Sequence, residues 1–491
     1  MVVVDSRPVR DRFRASLERC QKKGATNRQD ASHKDGELTT MRVIFLLGSM
    51  LWAATTWSYT VSENVYKTNG SQTDVQAACA AAPDDGTVTV TIPDGTYNWS
   101  GTLTIDKALT LAGENANGVT INNNKSSGNM ISVTSGAHGH VNIYWLNIVQ
   151  IANNEGGAGY AISADRDDSS PYTVMIHDCK FDGSKVFSYM VQVGAEGIVF
   201  WSDRFIGDGT NGLGGISFVC DKYGYGGWNR PDAFGTHDKS GLKNSYVEDC
   251  SFYDAPSSCL NCDDNSRVVI RHCKIANATL ISHGQESSIY GSREWEIYDN
   301  TFIYSSSGTG PSGASYPLNM NSWVFIRGGT GVITNNSMDD IPFNKSGIML
   351  NVFSITRGMN DGAGGTFCPL AYPAPRQTGW GWSETSNAEF GVGDDTSANR
   401  LVGDSSPGMF GADGLGAVLD PVYIWGNTGT ETTDPRYVGS ETYEPDNCGH
   451  GNQIATYLKQ GRDYYVNVAK PSWSPYTYPH PLHTKFAVDA N

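Results

Sequence analysis

A short pattern recurs along the body of this sequence and constrains the possible folds more than any other feature. Seven segments share one register when they are aligned on a turn residue: VMIHDCKF, IVFWSDRF, SYVEDCSF, VVIRHCKI, WEIYDNTF, GVITNNSM and VYIWGNTG. The aligned turn residues are Cys179, Asp203, Cys250, Cys273, Asn300, Asn336 and Asn427. The steps from Cys179 to Asp203, Cys250 to Cys273 and Cys273 to Asn300 are 24, 23 and 27 residues long. Short strands that recur at this spacing are typical of a solenoid of stacked coils.

Two apolar columns flank the turn residue. The column three positions before it holds Ile176, Phe200, Val247, Ile270, Ile297, Ile333 and Ile424. The column two positions after it holds Phe181, Phe205, Phe252, Ile275, Phe302 and Met338, with Gly429 as the exception. Because side chains alternate along a strand, these columns point inward, and the residues that follow the first column point outward. The outward residues are His177, Trp201, Glu248, Arg271, Tyr298, Thr334 and Trp425. Asparagines in a turn column can stack and hydrogen-bond along the axis. We therefore predict an all-β chain that forms a single parallel β-helix.

The stretch before these repeats predicts how the solenoid begins. In SQTDVQAACAAAPDDG, apolar residues at helical spacing follow Thr73, a candidate N-cap, and predict a short helix that covers the open end of the first coil. The next segments, IPDGTY and ALTLAGE, resemble the opening coils of the pectin-lyase-like superfamily of right-handed β-helix proteins. With the repeats, the resemblance extends from about Tyr59 to Asn351, and more weakly over the tail. It implies the fold but not one chemistry, because that superfamily includes lyases, hydrolases, epimerases, phage depolymerases and non-catalytic adhesins.

The start of the chain predicts export. Residues 1–40 are polar, and we interpret them as a disordered leader upstream of a true start at Met41. The stretch MRVIFLLGSMLWAATTWS, residues 41–58, has the basic start, short apolar run and small residues of a signal peptide. The alternative is a cytosolic extension before a single membrane anchor. We predict a secreted protein, extracellular or periplasmic, with no membrane contact after signal cleavage. The β-helix is expected at 59–355, a long Gly-rich loop at 356–420, and the last coil and a wrapping tail at 421–491.

Composition limits the partners. The formal net charge is −16, which argues against a nucleic-acid partner because phosphate binding depends on Lys and Arg. The 12 Trp and 24 Tyr supply flat faces that suit sugar rings as well as protein cores. We expect a monomer that binds a polysaccharide.

Three successive coils carry the candidate site, in CDDNSRVVIRHC, ISHGQESSIYGSREWEIYDN and WVFIRGGTGVITNN. Arg267, Arg293 and Arg327 each precede the repeat core. Neighbouring coils lie about 4.8 Å apart, so these arginines are predicted to form a column that binds the carboxylates or sulfates of an acidic polysaccharide. The alternative is a set of surface ion pairs, in which Arg293 pairs with Glu294 or Asp299 and Arg267 with Asp263 or Asp264. The other candidate substrate-binding residues are Lys239, Tyr298, Trp380 and Trp382.

For β-elimination beside a uronate carboxylate, a cation must neutralise the carboxylate, a base must remove the C5 proton and an acid must protonate the leaving oxygen. Arg327 is the candidate cation, and Arg293 or His283 the candidate base or acid. Glu286 is a candidate to orient His283 or to hold a cation. A hydrolase would instead need two carboxylates at a set distance, and a non-catalytic surface or adhesion protein would need neither acid nor base.

The same stretch faintly resembles the β-helix lyases related to chondroitinase B and alginate lyases, in which a Lys-Ser pair precedes one coil and Arg-His-Gly the next. FIRGG places Arg327 at the arginine position, but Gly291 stands where the lysine is expected, with Arg293 two residues on. The resemblance also implies a calcium site of clustered acidic residues, for which HGQESS offers only Glu286. Lyase chemistry is therefore our leading hypothesis, and calcium binding is left open.

The cysteines have a structural interpretation. Cys259 and Cys262, followed by His272 and Cys273, have a spacing that zinc sites also show, but Cys273 belongs to the inward turn column. Stacked free thiols are expected at Cys250 and Cys273. Cys368 and Cys448 are candidates for a disulfide that ties the long loop to the tail, since secreted chains form disulfides.

Overall fold

The protein is described from a computed structural model. The described residues are 59–125, 127–134, 137, 139–151, 159–165, 173–185, 188–194, 197–210, 213–219, 244–263, 266–283, 292, 294–320, 322–341, 350–355, 359–360, 366–367, 378–382, 417–429, 438–443 and 458–486. The chain divides into two units, Met1–Trp57 and Ser58–Asn491. The first unit, with the predicted leader and most of the predicted signal peptide, lies outside the described residues.

Three long sheets of stacked strands form a parallel β-helix, as the repeats and the pectin-lyase-like resemblance predicted. Sheet 1 has thirteen strands in the order Thr60–Ser62, Val65–Lys67, Thr89–Ile92, Leu109–Gly113, His140–Tyr144, Thr173–His177, Val199–Trp201, Ser245–Glu248, Arg267–Arg271, Glu294–Tyr298, Thr330–Thr334, Val422–Trp425 and Tyr464–Val466. Sheet 2 has nine strands in the order Ser337–Met338, Thr301–Ile303, Lys274–Ala276, Ser251–Tyr253, Arg204–Ile206, Lys180–Asp182, Leu146–Gln150, Val119–Asn123 and Gly95–Trp99. Sheet 3 has ten strands in the order Val438–Tyr443, Leu350–Ile355, Val324–Ile326, Leu280–Ser282, Ser258–Asp263, Leu213–Val219, Val191–Gly194, Ile162–Asp165, Ile131–Val133 and Leu103–Ile105. Apart from the antiparallel pair of the first two strands of sheet 1, neighbouring strands in these sheets are parallel.

The apolar columns predicted from the repeats form the core. Ile270 pairs in register with Val247 and Ile297 in sheet 1, and Phe252 with Phe205 and Ile275 in sheet 2. Every member of both columns is at most 2% exposed, apart from Gly429. The alternation of side chains therefore works as predicted, and each repeat is one coil.

The turn between sheets 1 and 2 carries a ladder of asparagines. Asn300 Nδ2 donates to the Oδ1 of Asn336 (3.0 Å), and Asn336 Nδ2 donates to the Oδ1 of Asn427 (2.9 Å). Asn300 Nδ2 also donates to the carbonyl of Ile270 on the coil before it, at 2.9 Å. The ladder confirms the predicted stacking and satisfies buried polar groups at each corner.

The residue before this ladder adopts a left-handed backbone on coil after coil. It is Trp145, Asp178, Ser202, Asp249, His272, Asp299, Asn335 or Gly426, with φ between 51° and 65°. Asp, Asn, His and Gly are the residue types that tolerate this region most easily, which explains why short polar residues recur at this corner.

Helix α1 (Gln72–Ala81) covers the first coil, as predicted, with Val75, Ala78 and Cys79 buried against it. Its N-cap is Ser71 rather than Thr73, since the Ser71 side chain accepts from the backbone N–H of Asp74. A second short helix, α2 (Pro481–Phe486), lies near the C-terminus.

The C-terminal tail both closes the solenoid and runs back along it. Tyr464–Val466 adds the last strand of sheet 1. Residues 470–486 then lie against the outer face of that sheet, from Trp473, whose Nε1 donates to Glu296 Oε1 (3.1 Å), to Phe486, whose ring contacts His140. The wrapping predicted for this segment is therefore present.

The tail changes what the outward column of sheet 1 does. Glu248, Arg271 and Tyr298 are at most 1% exposed beneath it. Arg271 donates to Glu248 Oε1 (2.9 Å), to the Tyr298 hydroxyl (2.9 Å) and to the tail carbonyls of Tyr476 (2.7 Å) and Thr477 (2.6 Å). The charges on this face fasten the tail to the solenoid.

Four short strands fall within the predicted Gly-rich loop. Met359–Asn360 pairs with Thr366–Phe367, and Trp380–Trp382 with Ala417–Leu419. Six described cysteines, Cys79, Cys179, Cys250, Cys259, Cys262 and Cys273, are free and buried, which confirms the prediction made for Cys250 and Cys273. Cys368 and Cys448 lie outside the described residues. In the described part of the chain, no helix is long and apolar enough to cross a membrane.

Candidate functional site

Three side chains of the predicted site align on successive coils at the end of sheet 3. Cys262 pairs in register with Ser282, and Ile281 with Phe325. Continued one residue past Cys262 and Ser282, and two residues past Ile281 and Phe325, this register gives Asp263, His283 and Arg327 equivalent positions. Cys262, Ser282 and Ile326 are buried, so the residue that follows each of them points outward. We call these three residues the Arg327 column.

The guanidinium of Arg327 is held in place from two sides. Its Nε donates to the carbonyl of Ser282 (3.0 Å), and its Nη2 lies 2.6 Å from Nε2 of His283. The guanidinium also lies 5.3 Å from the centre of the Phe325 ring, a cation–π contact. A cation that is already oriented loses little freedom when it binds an anion, so Arg327 is preorganised.

A single carbonyl fixes the turn that follows Arg327. The oxygen of Gly328 accepts from Ser282 Oγ (3.3 Å), Ser292 Oγ (3.0 Å) and Trp295 Nε1 (3.2 Å). These three donors come from the preceding coil. They hold the backbone beside the guanidinium without contacting the guanidinium itself.

The contact with Arg327 indicates which ring nitrogen of His283 carries the proton. A guanidinium donates hydrogen bonds and does not accept them, so Nε2 of His283 is the acceptor. The ring is therefore neutral and carries its proton on Nδ1. This tautomer presents a basic lone pair next to a fixed cation, and both side chains are half-buried.

Tyr189, which the sequence reasoning did not identify, carries a hydroxyl that feels the charge of Arg327, but its hydrogen-bond partner Ser258 lies five residues before Asp263 on the strand Ser258–Asp263. The Tyr189 side chain is half-buried, and burial raises the pKa of its hydroxyl, while a hydrogen bond with Ser258 and the charge of Arg327 lower it. The net shift is upward, so Tyr189 keeps its proton at neutral pH. The one sequence signal for Tyr189 was its position in SYMVQV, directly before a strand with inward-facing apolar residues.

Polar side chains continue along the outer face of sheet 3 beside the site. Gln192, Ser217 and Asn261 follow one another in register and lead to Ile281 and Phe325. Asn261 Nδ2 donates to Ser217 Oγ (3.3 Å), and Gln192 Nε2 donates to the Tyr160 hydroxyl (3.2 Å). Ser217 and Asn261 are buried, so of these three polar side chains Gln192 alone is partly exposed.

The other predicted arginine and aromatic residues are placed differently. Arg267 begins a strand of sheet 1, where it pairs in register with Glu294, so the register does not stack it on Arg327. It is 3% exposed, and its Nε and Nη2 have no hydrogen-bond partner among the described residues. Tyr298 is 1% exposed under the tail. Neither side chain offers its surface to a ligand in this structure.

Six further candidate residues lie wholly or partly outside the described structure. Arg293, Glu286, Asp264 and Lys239 lie outside the described residues. For Trp380 and Trp382 the backbone alone is described: the N–H of Gly379, directly before their strand, donates to the carbonyl of Gly329 at 3.0 Å. The strand Trp380–Trp382 therefore starts close to the turn that carries Arg327.

The described residues include one cluster with metal-ligand atoms, formed by Glu248, Asp249 and His483. Calcium takes six to eight oxygen ligands, whereas this cluster supplies two carboxylates and an imidazole. Glu248 is also fully buried against the guanidinium of Arg271. These residues do not fit a calcium site.

No protein-family model matches the sequence, and no curated protein matches it. Among solved structures, the PL6 family alginate lyase AlyGC is similar with a TM-score of 0.38 and 14% identity, over 84% of this chain and 52% of that one. ORF18 of Geobacillus virus E2 is similar with a TM-score of 0.32 and 13% identity, over 54% of each chain. The A-module of the mannuronan C-5 epimerase AlgE4 from Azotobacter vinelandii is similar with a TM-score of 0.27 and 12% identity, over 82% of this chain and 94% of that one.

The chain spans about half the length of the first two of these structures. Because the TM-scores are low, the fold assignment rests on the stacked coils themselves.

Proposed function

We propose that this protein is a secreted, carbohydrate-active β-helix enzyme that binds an acidic polysaccharide and cleaves it by β-elimination at the Arg327 column. The observation that carries the proposal is the contact of 2.6 Å between a fixed guanidinium and the neutral imidazole of His283. A uronate needs both groups in one place, a cation for its carboxylate and a base for the proton beside it.

Binding of the substrate would free the base. A uronate carboxylate that accepts from Nη2 of Arg327 replaces Nε2 of His283 as the acceptor. The lone pair of Nε2 then faces the ligand, and the guanidinium neutralises the carboxylate, which acidifies the C5 proton.

His283 and solvent balance the elimination step. Nε2 of His283 takes the C5 proton, and the electron pair of that C–H bond forms the C4–C5 double bond. The C4–O bond breaks, its electrons stay on the leaving oxygen, and this oxygen takes a proton from solvent. The imidazolium then returns its proton to solvent, which restores the base.

The test is the ultraviolet absorbance of the unsaturated uronate during incubation with polygalacturonate, alginate and chondroitin sulfate. Arg327→Ala should lower the rate by roughly 10²- to 10³-fold and His283→Asn by at least about 10²-fold. The matched control is His272→Asn, because His272 is a part-exposed histidine at a sheet corner, where its φ of 54° suits Asn. This control should retain the activity of the unmodified chain.

An increase in absorbance that survives Arg327→Ala and His283→Asn would place the site elsewhere. New reducing ends without unsaturated product would indicate a hydrolase and contradict elimination. Neither product on any of these substrates would contradict the enzyme proposal and favour a non-catalytic binding protein on the same solenoid.

A further inference from the structure

Sheet 2 carries a column of cations on its outer face, on a different sheet from the Arg327 column. Lys180 pairs in register with Arg204, Arg204 with Ser251, and Ser251 with Lys274. The three cations thus share one outward position on four successive coils. With strands about 4.8 Å apart, Arg204 and Lys274 stand roughly 10 Å from each other.

One aromatic ring lies between two of these cations. Tyr253 is two residues after Ser251 on the same strand, so it also points outward. The Arg204 guanidinium lies 5.0 Å from the centre of its ring, and the Lys274 ammonium 5.6 Å. We call Lys180, Arg204, Tyr253 and Lys274 the basic column.

The charges of Arg204 and Lys274 are not neutralised by carboxylates in the described part of the chain. The ion pairs described there include Lys180 with Asp182, at 3.5 Å, but neither Arg204 nor Lys274. Both side chains are exposed. Exposed cations stacked along one face of a chain with net charge −16 repel one another unless an anion joins them.

The geometry favours a linear, carboxylated ligand. Cations that repeat along the solenoid axis match an extended chain with an anionic group on each sugar ring. The ring of Tyr253 adds an apolar face against which a pyranose can pack. A nucleic-acid duplex is disfavoured because the overall negative charge repels it.

We propose that the basic column is a second binding surface, which anchors an acidic polysaccharide parallel to the solenoid axis. The proposed function supplies only the choice of ligand, since the two surfaces lie on different sheets. Binding at the basic column needs neither His283 nor Arg327, so the failure of one proposal can be distinguished from the failure of the other.

The experiment measures the affinity of the full chain for polygalacturonate and alginate at low ionic strength. Arg204→Ala/Lys274→Ala should weaken binding about 5- to 30-fold, since each exposed ionic contact contributes up to about 1 kcal/mol. Lys67→Ala/Lys459→Ala removes the same charge from exposed positions elsewhere and should leave the affinity within about twofold. Added salt should weaken the unmodified chain more than the Arg204→Ala/Lys274→Ala variant.

Equal weakening in both double variants would show a general charge effect and overturn the proposal. An unchanged affinity in Arg204→Ala/Lys274→Ala would overturn it as well. Binding of a single-stranded oligonucleotide as tight as that of polygalacturonate would refute recognition of a carboxylated glycan. In the Arg327→Ala variant, retained affinity with lost turnover would support two separate surfaces.

Discussion

Replacing Asp203 by asparagine is expected to stabilise this protein, with an effect that grows as the pH rises. Asp203 occupies the turn column in which the later coils carry Asn300, Asn336 and Asn427. Its Oδ1 accepts from the backbone N–H of Cys179 at 2.8 Å, as Asn300 Oδ1 accepts from Cys273. Its Oδ2 is buried and has no partner among the described residues.

The asparagine ladder shows which partner the atom at the position of Asp203 Oδ2 needs. Asn300, Asn336 and Asn427 each donate from Nδ2 to the carbonyl of the first apolar column on the preceding coil, at 2.9 to 3.1 Å. At Asp203 the equivalent carbonyl is that of Ile176. A carboxylate oxygen there would face another acceptor, whereas an amide can donate.

The pH dependence follows from the same contact. Burial raises the pKa of Asp203 well above its ordinary value, with a smaller contribution from the charge of Asp178. A raised pKa in the folded state means that the folded chain binds a proton that the unfolded chain releases. The stability that this group supports is complete below its unfolded pKa and is lost as the pH rises towards its folded pKa. The amide of the Asp203→Asn variant has no such proton to retain.

The magnitude can be worked out per unit of pH. Between the two pKa values, the unmodified chain should lose about 1.4 kcal/mol per pH unit relative to Asp203→Asn. The assay is urea unfolding of both chains from about pH 4 to about pH 7, with the unfolding free energy compared at each pH. Asp299→Asn is the matched control, because Asp299 is an exposed aspartate in the left-handed position of a corner three coils further along.

A difference that stays constant over this pH range, or a variant that is less stable at neutral pH, would refute the reasoning. Either result would mean that Asp203 is ionised in the folded protein.

Two further predictions concern the buried polar groups. Arg271→Met should lower the unfolding free energy by about 3–5 kcal/mol, because Glu248 would remain buried without its cation, and a protease should then cleave the tail more readily. The double variant Arg271→Met/Glu248→Leu should recover most of this loss. A loss in Arg271→Met below about 1 kcal/mol would contradict this account. The six described thiols should resist alkylation in the folded protein at mildly alkaline pH because all are buried, and at Cys79 burial also raises the pKa to about 12. Peptide mapping that finds rapid labelling of Cys79 before unfolding would disprove this.

Much of the fold was predictable because its determinants are local. Apolar residues at a period of two, followed by an asparagine or cysteine corner, define one coil, and the same pattern seven times defines the stack. Of the candidate site, the sequence identified Asp263, His283 and Arg327 but grouped Arg327 with Arg267. The spacing upstream of the repeat core varies from coil to coil, so only the register of sheet 3 showed which residues align.

Tertiary structure decided which outward-facing side chains of the sheets are exposed to solvent. The sequence predicted that Arg271 and Tyr298 point out of sheet 1, and they do. Arg271 is covered by the carbonyl groups of Tyr476 and Thr477, more than 200 residues away along the chain, and Tyr298 packs against Trp473 of the same tail. Alternation within a strand determines whether a side chain leaves the core, because that depends on the backbone of the strand alone. Whether it then reaches solvent depends on contacts between distant segments, which no local pattern records.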